Sequence, residues 1–340
     1  MTDYKSILEQ NRTETNYNYD TNYLIESVKN NLKNIKEPLI LSLSGGVDSM
    51  VLLFIIKRIL QKDLIAIHIN YNNRPETNLE EQYLQEYCEN MEITFESITF
   101  EIKRRDIKRT TYENYSTEKR YSFYEKMLNK YSSSGDSIIL GHHKDDIIEN
   151  IFHNFMNTKN LLNLSSIGLI GFRLNVNLIR PLIDLTKIEI YSFSKVFSIP
   201  YFNDTTPNWS NRGIFRNIIM TALEKSYHNP KQNLLNASEQ LNNWSSVIDS
   251  LIVNPILESI EWDIQDFGIS AKFSFEKIKD QNHVLWMEIL KRIYHKYSLN
   301  CPSNKSVKNL INNLNEGTVR LTRESLAYIN ETIIEIRINL

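Results

Sequence analysis

The stretch Leu39–Leu60, LILSLSGGVDSMVLLFIIKRIL, carries the hexapeptide Ser44-Gly45-Gly46-Val47-Asp48-Ser49 between two apolar runs. The chain has only nine glycines in 340 residues, so two side by side mark a place where the backbone turns tightly or approaches something closely. "PLILSLS" reads as a buried strand and "MVLLFIIKRIL" as a helix packed on a sheet, which puts the pair at a strand-to-helix turn. Such a turn can aim several N–H groups and the positive end of a helix at an anion, and Ser44 and Ser49 add hydroxyl donors. A plain structural turn would explain Gly-Gly by itself. The full hexapeptide is more particular, because it has neither the lysine of a Walker loop nor the spacing of a GxGxxG loop.

Outward from this turn, strand and helix patterns alternate. "LIAIHIN" (Leu64–Asn70), "ITFESITFEI" and "SIILGHH" read as strands, and "LEEQYLQEYCENM", "TEKRYSFYEKMLNKYSS" and "DDIIENIFHNFM" as helices. Alternation of this kind predicts an α/β fold with a doubly wound parallel sheet covered on both faces, whose ligands sit beyond the carboxyl ends of the strands. The Gly-Gly loop, "HINYNN" and "GHHKDD" all fall at strand ends and can converge there. Residues 1–22 are polar and without period, and are expected to form a loose tail. The main domain is expected over 23–220. Residues 221–340 read as a helical linker and a smaller domain, with Gly317–Arg337 alternating like two strands around a turn.

"GHHKDDIIEN", Gly141–Asn150, is the second cluster with chemical potential. His142 and His143 end a strand, and Asp145, Asp146 and Glu149 follow at the spacing of a helix start, where Asp146 and Glu149 share a face. Carboxylates in a first turn are ordinary partners of the helix dipole, but two histidines beside three acids are harder to assign to that role alone. The spacing is not HExxH and no cysteine is near, so a cationic amine or Mg-ATP fits the cluster better than zinc.

The bulk numbers exclude several classes. A formal charge of −2 argues against a surface that is basic throughout, so nucleic-acid contacts must come from local clusters. "KRRDIKR" (Lys103–Arg109), followed by Tyr112 and Tyr115, is one such cluster, and "KRIYHKY" (Lys291–Tyr297) a second. The two cysteines, Cys88 and Cys301, build neither a disulfide framework nor a CxxC site. No apolar run is long enough for a membrane span and the N-terminal residues lack a signal peptide's apolar core, so cytoplasmic residence is expected.

The hexapeptide is similar to the SGGxDS pyrophosphate loop of ATP pyrophosphatases. In order along the chain come Ser44–Ser49, His68-Ile69-Asn70, Arg120-Tyr121, His142–Glu149, "LIRPLIDLTKIEI", and "NDTTPNWSNRGIFRN" ending in Arg216-Asn217. That series, over roughly residues 38–220, resembles the tRNA(Ile)-lysidine synthetase family, and "VRLTRESLAYINETIIEIR" resembles more weakly the small domain that follows the catalytic part. Asn150 stands where the family has Thr, and "NYNNRPET" replaces a His-Gly-Leu-Arg continuation.

The resemblance implies adenylation of the C2 oxygen of cytidine 34 in an isoleucine tRNA with a CAU anticodon. Displacement of AMP by the ε-amine of free lysine then completes the reaction. ATP contacts would come from Ser44, Gly45, Gly46, Val47, Asp48, Ser49, His68 and His142, with Mg²⁺ at Asp48. Asp48, Asp145, Asp146 and Glu149 would be catalytic, and Asp146, Glu149 and Arg216 would bind lysine. Arg104, Arg105, Lys108, Arg109 and Arg120 would contact tRNA, and a homodimer is compatible with the family. Base thiolation and small-molecule amidation through an adenylated intermediate use the same loop chemistry. The scarcity of cysteine weighs against thiolation.

Overall fold

The computed structural model describes residues 4, 6–8, 20–131, 136–157, 164–165, 167–202, 210–265, 268–315 and 317–339. The chain forms two compact units, Met1–Glu239 and Gln240–Leu340, and the division falls inside helix Pro230–Ile248, beyond the boundary expected at 220.

In the first unit six strands make one sheet: β1 (Leu39–Ser42), β2 (Leu64–Asn70), β3 (Thr94–Thr99), β4 (Ser137–Ile139), β5 (Ile170–Arg173) and β6 (Val176–Ile179). Their order is β3-β2-β1-β4-β6-β5. All neighbours are parallel except β5 and β6, a hairpin that puts an antiparallel strand at one edge. That edge hairpin departs from the wholly parallel sheet expected, because Leu174 and Asn175 adopt left-handed φ and close a two-residue turn.

Strand alternation explains why both faces are dry. Leu39 and Leu41 of β1, Leu64 and Ala66 of β2, and Ile139 of β4 belong to one core, covered by α1 (Thr21–Leu32), α2 (Val47–Phe54), α3 (Thr77–Asn90) and α6 (Lys187–Val196). Ile40, Ile65, Ile67 and Ile138, one residue out of phase, face Tyr121, Phe123, Tyr124 and Met127 of α4 (Arg109–Tyr131). α5 (Lys144–Met156) follows β4 and carries the acidic cluster.

The tail expected over 1–22 lies mostly outside the described residues. Its described part is docked rather than loose: Ile7 is 4% exposed, Leu8 bridges to Phe202, and Tyr4 packs edge-on against Tyr83. Three apolar or aromatic side chains in a polar stretch suffice to anchor it.

The second unit is built on an antiparallel sheet. To the two strands expected after Gly317, which prove to be three (Gly317–Arg320, Ser325–Asn330, Ile333–Asn339), it adds Glu261–Gln265 and Gly268–Ser274. Helix His283–His295 buries Trp286, Ile289, Leu290, Ile293 and Tyr294, and Trp286 donates its indole N–H to the Ile278 carbonyl at 3.0 Å. Among the described residues no helix is long and apolar enough to cross a membrane.

Candidate active site

At the carboxyl end of β1 the chain turns through Ser44-Gly45-Gly46 into α2. Gly45 has φ +81°, and a Cβ there would lie 2.1 Å from the Phe202 ring, so this position requires glycine on both counts. The Ser44 and Gly45 N–H groups both donate to Ser49 Oγ at 3.2 Å, and Ser49 Oγ donates to the Gly46 carbonyl at 3.0 Å. The Gly46 N–H donates to Ser44 Oγ at 3.3 Å. The loop is thus a concave run of amides held by its own two hydroxyls, at the positive end of α2.

Asp48, in the first turn of α2, accepts Lys187 Nζ at 2.8 and 2.6 Å on its two oxygens. Lys187 opens α6, whose Thr186 hydroxyl and Glu189 carboxylate close a capping box, so the helix start delivers the ammonium to the loop. Mg²⁺ is expected here from the sequence, where one carboxylate would hold it together with the phosphates of the nucleotide. Lys187 engages both Asp48 oxygens, and among the described residues no three His, Cys, Asp or Glu side chains converge as a metal site.

Across the cavity lies Asp146 of α5, with Glu149 behind the lining; each is 8% exposed. Glu149 pairs with Arg216 Nε at 2.9 Å and with Arg212 Nε, while Asp146 accepts Arg216 Nη2 at 3.2 Å and the His143 N–H at 3.1 Å. Burial would raise the Asp146 carboxyl, but His143, His142 and Arg212 outweigh it and hold it below its ordinary value. Arg212 and Arg216, four residues apart, leave the short helix Asn211–Ile214 and the π-turn Phe215–Ile219 on one side. Arg216 is therefore already engaged by the carboxylates with which it was expected to share substrate.

Asp145 is drawn away from the cavity. It accepts the Lys187 backbone N–H at 2.8 Å and pairs with Lys231 at 3.2 Å, so it anchors α6 to α5. His143 is 3% exposed, with Nε2 3.4 Å from Asp146 and 3.7 Å from Asp48, and its Nδ1 has no hydrogen-bond partner among the described residues. His142 lines the cavity, and burial, with Arg180 and Arg212, pushes its imidazole down to about 4 despite Asp146. His142 is neutral at physiological pH.

The expectation for His68 needs correction. It is 6% exposed, stacks on Phe95 and bonds the Leu43 carbonyl through Nδ1 at 2.8 Å, and it does not line the cavity. Its strand is buried along its whole length, so the ring faces the core. Arg120 does line the cavity, on α4. Arg104, Arg105, Lys108 and Arg109 lie instead on an exposed segment that includes the turn Arg104–Asp106 and the start of α4, where Arg109 pairs with Glu113 at 2.7 Å. In the second unit, Lys296 of the other basic run packs 3.9 Å over Trp262, and Arg292 pairs with Asp249 and Glu288.

The Ser44–Ser49 loop, Arg120, His142, His143, Asp146, Lys187, Arg212 and Arg216 border one cavity of about 850 Å³. Seven Arg and Lys side chains line it against Asp48 and Asp146, in a chain of net charge −2, which suits a polyanionic ligand. Five of the seven, Arg74, Arg173, Arg180, Lys187 and Arg212, are absent from the residues singled out in the sequence. Lys187 and Arg180 lie in "LIRPLIDLTKIEI" and Arg212 in "NDTTPNWSNRGIFRN", whose residues 203–209 lie outside the described part. A basic residue at each site was visible, but not what it would face.

The PP-loop domain family matches residues 16–226. A tRNA(Ile)-lysidine synthase of Staphylococcus aureus strain COL is 25% identical over 236 residues, 68% of this chain and 54% of that protein. One from Francisella tularensis subsp. holarctica strain OSU18 is 29% identical over 227 residues, 66% and 55% respectively. The chain thus spans about half the length of the curated relatives it matches. Among solved structures, the U34-tRNA thiolase NcsA from Methanococcus maripaludis, with its [4Fe-4S] cluster, superposes with a TM-score of 0.52. That match has 18% identity over 65% of this chain and 78% of that one, which establishes the fold alone.

Proposed function

Because this chain belongs to the PP-loop domain family, we propose that it uses ATP to adenylate the C2 oxygen of cytidine 34 in a CAU-anticodon isoleucine tRNA, and then joins the ε-amine of lysine to that carbon. One observation carries the reading: the Ser44–Ser49 loop and Asp146 border the same cavity, from the ends of β1 and β4, and Glu149 pairs with Arg212 and Arg216, which line it. Curated relatives named for this activity support it.

In the first step the base oxygen attacks the α-phosphorus and pyrophosphate leaves. The loop receives the leaving phosphates, the amides of Ser44, Gly45 and Gly46 turning to them from the Ser49 and Ser44 hydroxyls that hold them, aided by the α2 dipole. We assign part of the counter-charge to Lys187, which moves from Asp48 onto phosphate and so frees Asp48, the residue that would hold Mg²⁺. In the second step the lysine ammonium replaces Arg212 on Glu149. Arg212 is the more exposed of the two arginines, its side chain 61% accessible against 34% for Arg216, so it is the one that yields. Asp146 and Glu149 orient the amine and take its proton as it attacks C2 and AMP departs. RNA outside the cavity is assigned to Lys103–Arg109 and to the 221–340 part.

Incubation with ATP, labelled lysine and tRNA tests the reading: label in a modified cytidine is expected, with one AMP and one pyrophosphate per lysine. Incorporation of sulfur, or AMP release independent of lysine, would replace it with thiolation or small-molecule amidation.

A further inference from the structure

Arg180 follows β6 directly and is 7% exposed, an unusual position for a guanidinium. Its Nη1 donates to the Gly168 carbonyl at 2.7 Å and its Nε donates to His142 Nδ1 at 3.2 Å. Gly171 of β5 leaves the room for this: a Cβ there would stand 2.8 Å from Nη1 and 3.1 Å from Nη2. Arginine has donors only, so the His142 nitrogen it meets must be the acceptor, and in a neutral imidazole the proton then sits on the other nitrogen.

We infer that Arg180 is a positioning residue that fixes His142 in its Nε2-protonated tautomer, as a neutral donor to a substrate oxygen in the cavity. A neutral, fixed donor can serve a phosphoryl oxygen of the nucleotide or the carbonyl oxygen of the base, without proton transfer. Which oxygen it serves rests on the reaction proposed above; the tautomer does not. The edge hairpin β5–β6 thereby gains a role, because it supplies Gly171 and leads into Arg180 and so sets the ring of His142 from 38 residues away in sequence.

Nitrogen-15 spectra of the whole chain, labelled at histidine, test the tautomer directly. His142, assigned by its loss in His142→Gln, should show unprotonated Nδ1 and protonated Nε2 from pH 5.5 to 8. Arg180→Gln should mix the tautomers and lower kcat/KM at least tenfold. If Arg180→Gln fails to fold, Gly171→Ala, which crowds the guanidinium and changes no charge, should shift the tautomer ratio in the same direction with a smaller loss. Weaker AMP-PNP binding at unchanged kcat would assign the donor to ground-state phosphate. A fall in kcat at unchanged AMP-PNP affinity would assign it to the oxygen that gains charge in the transition state. Protonated Nδ1 in the native protein overturns the inference, as does an unchanged tautomer and kcat in a folded Arg180→Gln. The expected tautomer in a protein that makes no lysine adduct overturns the proposed reaction and leaves Arg180's role standing.

Discussion

The two ends of the cavity are built differently. At the loop end the contacts are local: Ser44, Gly45, Gly46 and Ser49 satisfy one another within five residues of sequence. At the acid end Glu149 and Asp146 meet Arg212 and Arg216 across 63 and 70 residues, and the carboxylates are buried. A local network forms wherever its turn forms. A long-range buried ion cluster exists only once the domain is assembled, and removing one member strands the others.

Glu149→Gln should therefore be the most damaging change. It leaves Arg212 and Arg216 without their main partner, and is expected to cost about 2–4 kcal/mol in denaturant unfolding and roughly a thousandfold in turnover. An unchanged unfolding midpoint would show that the acid end is not held by its charges. Gly45→Ala tests the opposite end. Positive φ and the Phe202 contact predict a loss of about 1–3 kcal/mol. The Gly45→Ala/Phe202→Ala pair should regain part of the nucleotide affinity, because it removes the clash but not the φ strain.

The cavity histidine makes the comparison pH-dependent. The folded protein keeps His142 neutral down to about 4, whereas the unfolded chain binds that proton near the ordinary value of 6.5. Between these values the unfolded state holds more protons, so stability falls as pH drops from 6.5 toward 4, by on the order of 1–2 kcal/mol. Asp146 acts in the same direction but lower: its depressed carboxyl contributes stability above 3.8 that is lost on further acidification. Urea titrations at pH 7, 5.5 and 4.5 on the native protein and His142→Gln should differ in slope across the first window only.

Lys187→Met should weaken nucleotide binding about tenfold, with less than about 1 kcal/mol change in stability, because its Asp48 pair is partly solvated. A large loss of stability would show that the loop end, too, is a structural ion pair. The smallest effect is expected outside both ends. Arg105→Ala, on the exposed basic segment, should lower RNA affinity only a few-fold and flatten its salt dependence by about one charge, with no change in nucleotide binding.

The same contrast explains what could be read early. Periodicity disclosed β1, β2 and the helices α2 and α3, because burial on both faces leaves unbroken apolar runs such as Leu64–Asn70. It missed β5 and β6, whose four-residue strands are too short to show a period, and the ATP contact that the resemblance implied for His68 gives way to a ring held by the Leu43 carbonyl and Phe95. The helix expected from Thr117 starts earlier, since α4 begins at Arg109 and takes the end of the basic run into its first turn.

By itself the amino-acid sequence determined the features whose partners lie within a turn or two: the glycine loop, its hydroxyls, the strand-helix alternation, and the acids at the start of α5. Tertiary structure alone decided which charge meets which. Lys187 on Asp48, Arg212 and Arg216 on Glu149, and Arg180 on His142 join residues 139, 63, 67 and 38 positions apart. Side-chain chemistry permits any of these cations to face any of these groups, and only the packed sheet, by fixing where α6 and β6 end, selects among them.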